Sequence, residues 1–279
     1  MISVVIPALN AADTIEDQLE ALAHQRFEGA FEVIVADNGS TDRTRALVES
    51  WHGRLPALRV VDAGERPGSA SARNAGVRAA TGTAIAFCDA DDVVAEGWLA
   101  ALAEGLEAAP LVAGWYELLD ERTGRLLWPA GPRQLSMGFL RYASTCSMAV
   151  DKAALESVGG FAEELLRCSD RDFAWRLQLA GYEMTEAPAA LVHKRARRTR
   201  RERVVQAYRW ARVEPTLYKR YRAAGMPRPG LGSTLRDLAL VLATTPLIWH
   251  PRARARWWAT APLHAGRIAG SRQARCWFP

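Results

Sequence analysis

Ala84-Ile85-Ala86-Phe87-Cys88-Asp89-Ala90-Asp91-Asp92 passes from an unbroken apolar run straight into three carboxylates, with no turn residue between them. A short apolar run ended by a polar break reads as a buried strand, so the acids stand at a strand's end. In open α/β sheets ligands collect beyond the carboxyl ends of the strands. Two carboxylates one residue apart can hold a hard divalent cation, which can in turn grip a diphosphate. Taken alone, the same string is equally an acidic loop or helix cap.

The flanking sequence places that strand fourth. Residues 2–6 form a first strand ending at Pro7, and Asn10 and Asp13 precede a helix with Ile15, Leu19, Leu22 and Ala23 at helical spacing. Residues 31–36 are a second strand, closed by Asp37-Asn38-Gly39-Ser40-Thr41-Asp42, a turn and helix cap ahead of a helix over 44–51. Residues 58–61 are a third strand, and a loop over 64–68 leads into a helix over 70–80. This alternation predicts an α/β fold, a Rossmann-like, mostly parallel sheet flanked by helices. Further on, helices are expected over 98–108, 152–158 and 170–180, the last two stopped by Gly159-Gly160 and Gly181. Strands are expected over 111–119, 125–127 and 146–150.

With 49% hydrophobic and 24% charged residues over 279 positions, the chain is globular. Met1-Ile2-Ser3-Val4-Val5-Ile6-Pro7 has no basic start or cleavage site, so it reads as a strand and not a signal peptide, which implies a cytoplasmic catalytic part. The four cysteines form no C-x-x-C pair, which argues against a zinc ribbon or redox motif. Charge is sharply divided: residues 1–193 hold 16 Lys/Arg against 28 Asp/Glu, and residues 194–279 hold 20 against 3. Five of the ten tryptophans lie in that basic part. The expected division is therefore residues 1–195 as the catalytic domain and 196–279 as a basic helical C-terminal extension.

Asp37 ends the second strand as Asp89 follows the fourth, so both acids face one crevice. There a carboxylate can accept from a base N–H or ribose hydroxyls, or simply serve the turn. Arg73 and Asn74 lie early in the third helix, where a guanidinium and a helix N-terminus suit a pyrophosphate. Neither a Walker-type loop nor G-x-G-x-x-G is present.

Val4-Val5-Ile6-Pro7-Ala8-Leu9-Asn10, the segment Glu32 through Asp42, Ser71-Ala72-Arg73-Asn74-Ala75-Gly76 and Phe87 through Asp92, in that order, resemble the family 2 glycosyltransferases of GT-A fold. The likeness continues through Gly159-Gly160-Phe161 and Ser169-Asp170-Arg171-Asp172, covering about residues 1–195. It implies that Pro7, Ala8 and Asn10 line a nucleotide pocket, Leu9 standing where tyrosine is common. It further implies Asp37 on the base, Arg73 on base or diphosphate, Asp89 on the ribose, and Asp91, with Asp89, on the Mg²⁺ or Mn²⁺ that bridges the diphosphate. Asp92 is a sugar contact in this scheme. Asp170 is the catalytic base, with Asp172 a helix-start residue or understudy, although Ser169 stands where the family has glutamate. His193 resembles a late histidine that some members use as a further metal ligand.

The implied activity is inverting, metal-dependent, non-processive transfer from a nucleotide-sugar donor, UDP-linked by preference, to a glycan or lipid-linked acceptor. Gln206-Ala207-Tyr208-Arg209-Trp210 matches the Q-x-x-R-W of processive polysaccharide synthases, but no apolar run approaches the roughly 20 residues of a membrane span. Leu235, Leu238, Ala239, Leu242 and Ala243 keep helical spacing, and Trp249, Trp257 and Trp258 stand among Arg252, Arg254 and Arg256. Such a segment is expected on an anionic membrane surface, at the inner face of the cell membrane. The competing readings are a processive synthase and, from another class, a basic membrane- or nucleic-acid-binding protein with a degenerate catalytic domain. An acidic crevice repels a polyanion, so no nucleic-acid partner is expected.

Overall fold

The computed structural model describes every residue except 56, 121–122, 132–134, 197–198, 247–248 and 279, and leaves the side chains of 231, 233, 255 and 256 undescribed. The side chain of Arg256 and residues 247–248 of the tail's apolar run therefore lie outside the described residues. The chain divides into two compact units, residues 1–135 with 141–196, and residues 136–140 with 197–279.

The first unit holds β1 (Ile2–Ala8), α1 (Ile15–Ala23), β2 (Phe31–Asp37), α2 (Thr44–Ser50), β3 (Leu58–Asp62), α3 (Ser69–Ala79), β4 (Ala84–Phe87), β5 (Val93–Val94) and α4 (Trp98–Ala108). It continues with β6 (Leu111–Leu119), β7 (Leu126–Trp128), β8 (Met148–Asp151), α5 (Lys152–Ser157), α6 (Ser169–Leu179) and β9 (Met184–Arg195). The strands lie in the order β3-β2-β1-β4-β8-β6-β9-β5, with β7 beside β6. β1, β2, β3 and β4 pair in parallel. β8 then enters antiparallel between β4 and β6, so the sheet is parallel in one half and mixed in the other.

Burial on both faces accounts for the unbroken apolar strands. Val4, Ile6, Val33 and Val35 pack on one side with Ile15 and Leu19 of α1. Val5, Ile34, Ile85 and Phe87 pack on the other with Val77 of α3 and Phe173 of α6. Gly76 is required where α3 crosses β1, because a Cβ there would lie 2.4 Å from Val5 Cγ1. The first excursion runs β1 to β2 to β3; β4 then lies on the opposite flank of β1. That reversal is the switch point at which open sheets bind ligands, and Asp37 and Asp89 stand on either side of it.

β9 pairs with β6 up to Gly114↔Ala187 and resumes at Trp115↔Leu191. Residues 188–190 bulge out between, and Pro188, which has no N–H to give a ladder, is accommodated there. Gly114 is fixed by the same bulge: a Cβ would meet Ser147 Oγ at 1.9 Å and the Ala190 carbonyl oxygen at 2.6 Å.

The second unit carries α7 (Arg200–Tyr221), α8 (Leu231–Thr244) and α9 (Pro251–Ala274). Thr199 caps α7 in a reciprocal pair with Glu202, the hydroxyl accepting from the Glu202 N–H at 3.2 Å and the carboxylate from the Thr199 N–H at 3.1 Å. α9 packs on α7 at Gly266 and Gly270, where a Cβ would lie 2.5 Å from Tyr208 O and 2.1 Å from Arg212 O. Among the described residues no helix is long and apolar enough to cross a membrane.

Candidate active site

Three loops meet at the switch point, and side chains tie them together. Asn10, held at φ 50°, accepts from the Thr41 N–H at 2.8 Å, and the Ala11 N–H donates to Thr44 Oγ1 at 2.7 Å. The 7–10 segment is thus fastened to the loop after β2. Asn38 extends the frame, donating to Ala63 O and Arg66 O and accepting from the Gly68 N–H at 2.7 Å. Asp37, 6% exposed at the end of β2, accepts from the Ser40 N–H at 2.9 Å, so one of its oxygens shapes its own turn. Pro7 is half-buried, Ala8 is buried and pairs with Asp37 in register, and Asn10 is exposed.

The turn after β4 is clamped from α1. Gln18, fully buried, donates to Asp89 O at 3.1 Å and accepts from the Val94 N–H at 3.0 Å, while the Thr14 hydroxyl donates to Ala90 O at 3.0 Å. With the backbone held, Asp89, Asp91 and Asp92 bring ligand oxygens within 4.8 Å of one another. Hard oxygen donors in that density suit Mg²⁺ or Mn²⁺.

Arg73 and Lys194 are among the described residues that pair with this cluster. Arg73, 5% exposed, donates through Nη2 to Asp89 Oδ1 at 2.8 Å. Its Nε is buried without a hydrogen-bond partner. A buried guanidinium N–H left unmatched costs free energy, so it marks a place for an acceptor from a ligand. Lys194 Nζ lies 2.5 Å from Asp92 Oδ2 and 3.5 Å from Asp89 Oδ2. Burial pushes the Asp89 carboxyl up, but Lys194 and Arg73 outweigh it and hold it below its ordinary value. Burial dominates at Asp92, which rises to about 7 against the pull of Lys194. Burial alone would lower Lys194; its neighbours Cys146, Asp92 and Asp89 raise it instead, so it stays an ammonium ion.

Asp170 sits in the first turn of α6, behind Cys168, which caps the helix in the left-handed region at φ 59°. Its Oδ1 accepts from the Arg171 N–H at 2.9 Å. Burial raises its pKa, while Arg171 and Arg73 oppose the rise and Asp89 adds to it, so Asp170 lies within electrostatic reach of the carboxylate cluster. A carboxylate raised in this way is a better proton acceptor than an ordinary one. Asp172 has a structural task. It is fully buried and pairs with Arg176 at 2.9 Å, and Arg176 also donates to Val158 O and Gly160 O. Asn74 fastens the same turn, accepting from the Phe161 N–H at 2.9 Å and donating to Phe161 O at 2.9 Å. The Gly159-Gly160-Phe161 segment therefore serves as the brace between α3 and α6.

His193 is not in the group whose ligand atoms gather within 4.8 Å; its Nδ1 lies 2.7 Å from Glu117 Oε1. Successive residues of a strand point to opposite faces, so β9 sends Lys194, not His193, to Asp89 and Asp92. Lys194, Gln18 and Thr14 are the site residues that sequence reasoning did not find.

Residues 3–146 match the family described as Glycosyl transferase family 2, more than half of the chain. The chain belongs to that family. Glycosyltransferase AglE of Haloferax volcanii is 28% identical over 194 residues, covering 67% of this chain and 64% of AglE. Validoxylamine A glucosyltransferase of Streptomyces hygroscopicus subsp. jinggangensis is 45% identical over 92 residues, 32% of this chain and 21% of that one. The chain thus spans less than two thirds of the length of these curated relatives. Among solved structures, mannosyltransferase PcManGT from Pyrobaculum calidifontis, in complex with GDP-Man and Mn²⁺, superposes with a TM-score of 0.67 at 21% identity, covering 96% of this chain and 86% of that chain. S. aureus TarS 1-349 in complex with UDP-GlcNAc gives 0.60 at 20% identity, covering 99% and 92%. Both likenesses establish the glycosyltransferase fold.

Proposed function

We propose that the crevice binds a nucleotide-diphosphate sugar with Mg²⁺ or Mn²⁺ and transfers the sugar, with inversion, to a hydroxyl of a glycan or lipid-linked acceptor. The observation that carries this reading is the meeting of three carboxylate oxygens within 4.8 Å at the end of β4, beside the unmatched buried Nε of Arg73. Asp89, Asp91 and Asp92 would hold the cation, which when bound supplies charge neutralisation to the leaving diphosphate. Asp37 and residues 7–10 line the nucleotide side, and Arg73 offers a donor to the diphosphate or base.

Asp170 completes the reaction. The acceptor hydroxyl attacks the anomeric carbon as the bond to the diphosphate oxygen breaks; the electron pair leaves on that oxygen and the hydroxyl proton passes to Asp170. One displacement from the opposite face inverts the anomeric centre. UDP-sugars are the favoured donors, and a relative in complex with GDP-Man keeps guanosine donors in the comparison. Thermal unfolding in the presence of UDP-, GDP-, dTDP- and CDP-sugars tests the donor half. One donor with Mn²⁺ should raise the midpoint by several degrees at about 100 times its Kd, and the same donor without metal should raise it far less. A folded protein indifferent to every donor, with and without metal, removes this reading.

The second unit is the membrane-binding element in this proposal. On α8, Leu235 is 64% and Leu242 73% exposed, seven residues apart on one helix face, and Trp249 is 85% exposed. Exposed Arg236, Arg252 and Arg254 accompany them. Apolar side chains with tryptophan and arginine at their edge suit an anionic membrane surface, each basic residue contributing about 1 kcal/mol. The full chain should float with phosphatidylglycerol vesicles, and the double change Leu242→Ser, Trp249→Ser should reduce the floated fraction severalfold. Equal flotation of both would assign lipid binding elsewhere or nowhere.

A further inference from the structure

We propose that Phe161 is a positioning residue of the transfer reaction, whose ring fixes the guanidinium of Arg73 and the helix of Asp170 in one arrangement. This rests on the reading of Arg73 as a donor contact and of Asp170 as the base. Phe161 is 2% exposed. The Arg73 Cζ lies 5.8 Å from its ring centroid, within the range of a cation–π contact. Phe87, the last residue of β4 and two before Asp89, meets the same ring edge-on, with centroids 5.2 Å apart and planes at 87°. Phe173, three residues after Asp170 on α6, packs against it at 4.4 Å with the planes tilted by 33°.

The backbone of Phe161 is pinned between the same helices. Asn74, next to Arg73 on α3, accepts from the Phe161 N–H and donates to the Phe161 carbonyl, both at 2.9 Å. Gly160 lets that amide approach, since it sits at φ 70° and a Cβ there would lie 2.8 Å from Asn74 Oδ1. From α6, Arg176 donates to Gly160 O at 2.6 Å and places its Cζ 5.9 Å from the Phe173 ring. Arg73 needs a ring beside it, and not merely an apolar side chain. Among the described residues its hydrogen bond is to Asp89, and its Nε has no partner, so the guanidinium plane is free to turn about that one bond. A ring face attracts a desolvated guanidinium, whereas a branched aliphatic side chain fills the space without attracting it. Phe161 thus keeps the unmatched Nε in one direction for a donor acceptor atom. Through Phe173 it gives the first turn of α6 the same reference.

The test reads nucleotide affinity and turnover separately. UDP and GDP are titrated calorimetrically in the presence of Mn²⁺, and release of nucleotide diphosphate from saturating UDP- or GDP-sugar gives kcat. Phe161→Leu should weaken the nucleotide that wild type binds by about tenfold, and should lower kcat by a further factor of about ten as the base shifts out of line. On Arg73→Met the same change should alter affinity by less than about twofold, because its effect on binding runs through Arg73. Leu58→Ala, buried at the amino end of β3 and so away from the strand ends that carry the site, controls for loss of stability. It should lower the unfolding midpoint at least as far as Phe161→Leu does and leave affinity and kcat unchanged. Where Phe161→Leu fails to fold, the more adaptable Phe161→Met takes its place. Wild-type affinity or wild-type kcat in the Phe161 variant, or an equal loss of affinity with and without Arg73, overturns the proposal while leaving the donor-site reading intact. Failure of wild type to bind either nucleotide overturns both.

Discussion

Asp170→Asn should lower sugar transfer by about a thousandfold, within the range a general base contributes, and leave donor binding unchanged. The asparagine side chain has the same shape, and its carbonyl can still accept from the Arg171 N–H that now fixes the carboxylate. What it cannot do is take a proton. Burial holds the Asp170 pKa above the ordinary carboxylate value, so its protonated, inactive form persists to higher pH than in a solvated aspartate. The rate should therefore fall as pH drops through that raised value, and the acid limb should lie above the usual carboxylate range. Release of nucleotide diphosphate in the presence of an acceptor-bearing lipid or glycan extract measures both effects. Full turnover by Asp170→Asn assigns the base to another group.

Asp91→Asn should act on the other half of the reaction, reducing kcat/KM by about a hundredfold or more through loss of cation binding. Asp89 and Asp92 each have a protein cation on an oxygen, Arg73 on the first and Lys194 on both. Asp91 joins them in the same cluster, and its substitution takes away one of the three carboxylates that would hold the cation. The two variants separate by metal titration. Raising Mn²⁺ should recover part of the activity of Asp91→Asn and none of that of Asp170→Asn. Wild-type activity in Asp91→Asn at low Mn²⁺ would place the cation elsewhere.

The half of the fold that positions the donor site was legible because its strands are buried on both faces. Val4-Val5-Ile6, Val33-Ile34-Val35 and Ala84 through Phe87 carry no competing helical period, and each ends in the acid or polar turn that the site uses. The mixed half was less so. β8 enters antiparallel between β4 and β6 through pairings such as Phe87↔Met148 that span about sixty residues, and no local pattern encodes such a partner. Asp172 shows the same limit within the site. Its carboxylate looks like a spare catalytic group until Arg176 is seen carrying it to the Gly160 carbonyl.

His193 and Lys194 are the sharpest case. Which of two adjacent residues faces the carboxylates is a question of parity along β9, and parity was changed by a bulge around Pro188 that exists only in the pairing with β6. A proline in a strand is compatible with an irregularity but does not give its length. The tail divided likewise: the exposed leucines of α8 follow from helical spacing, whereas the close seating of α9 on α7 depends on Gly266 and Gly270, two unremarked glycines four residues apart.

The central claim is a cation held at the end of β4 together with a nucleotide diphosphate. Anomalous scattering from crystals grown with Mn²⁺ and UDP or GDP locates the ion directly. A single Mn²⁺ peak within coordination distance of Asp91 and the diphosphate oxygens is the result this account predicts. A well-ordered nucleotide bound in the crevice with no Mn²⁺ at Asp89, Asp91 or Asp92, or Mn²⁺ bound at a place remote from them, would contradict it.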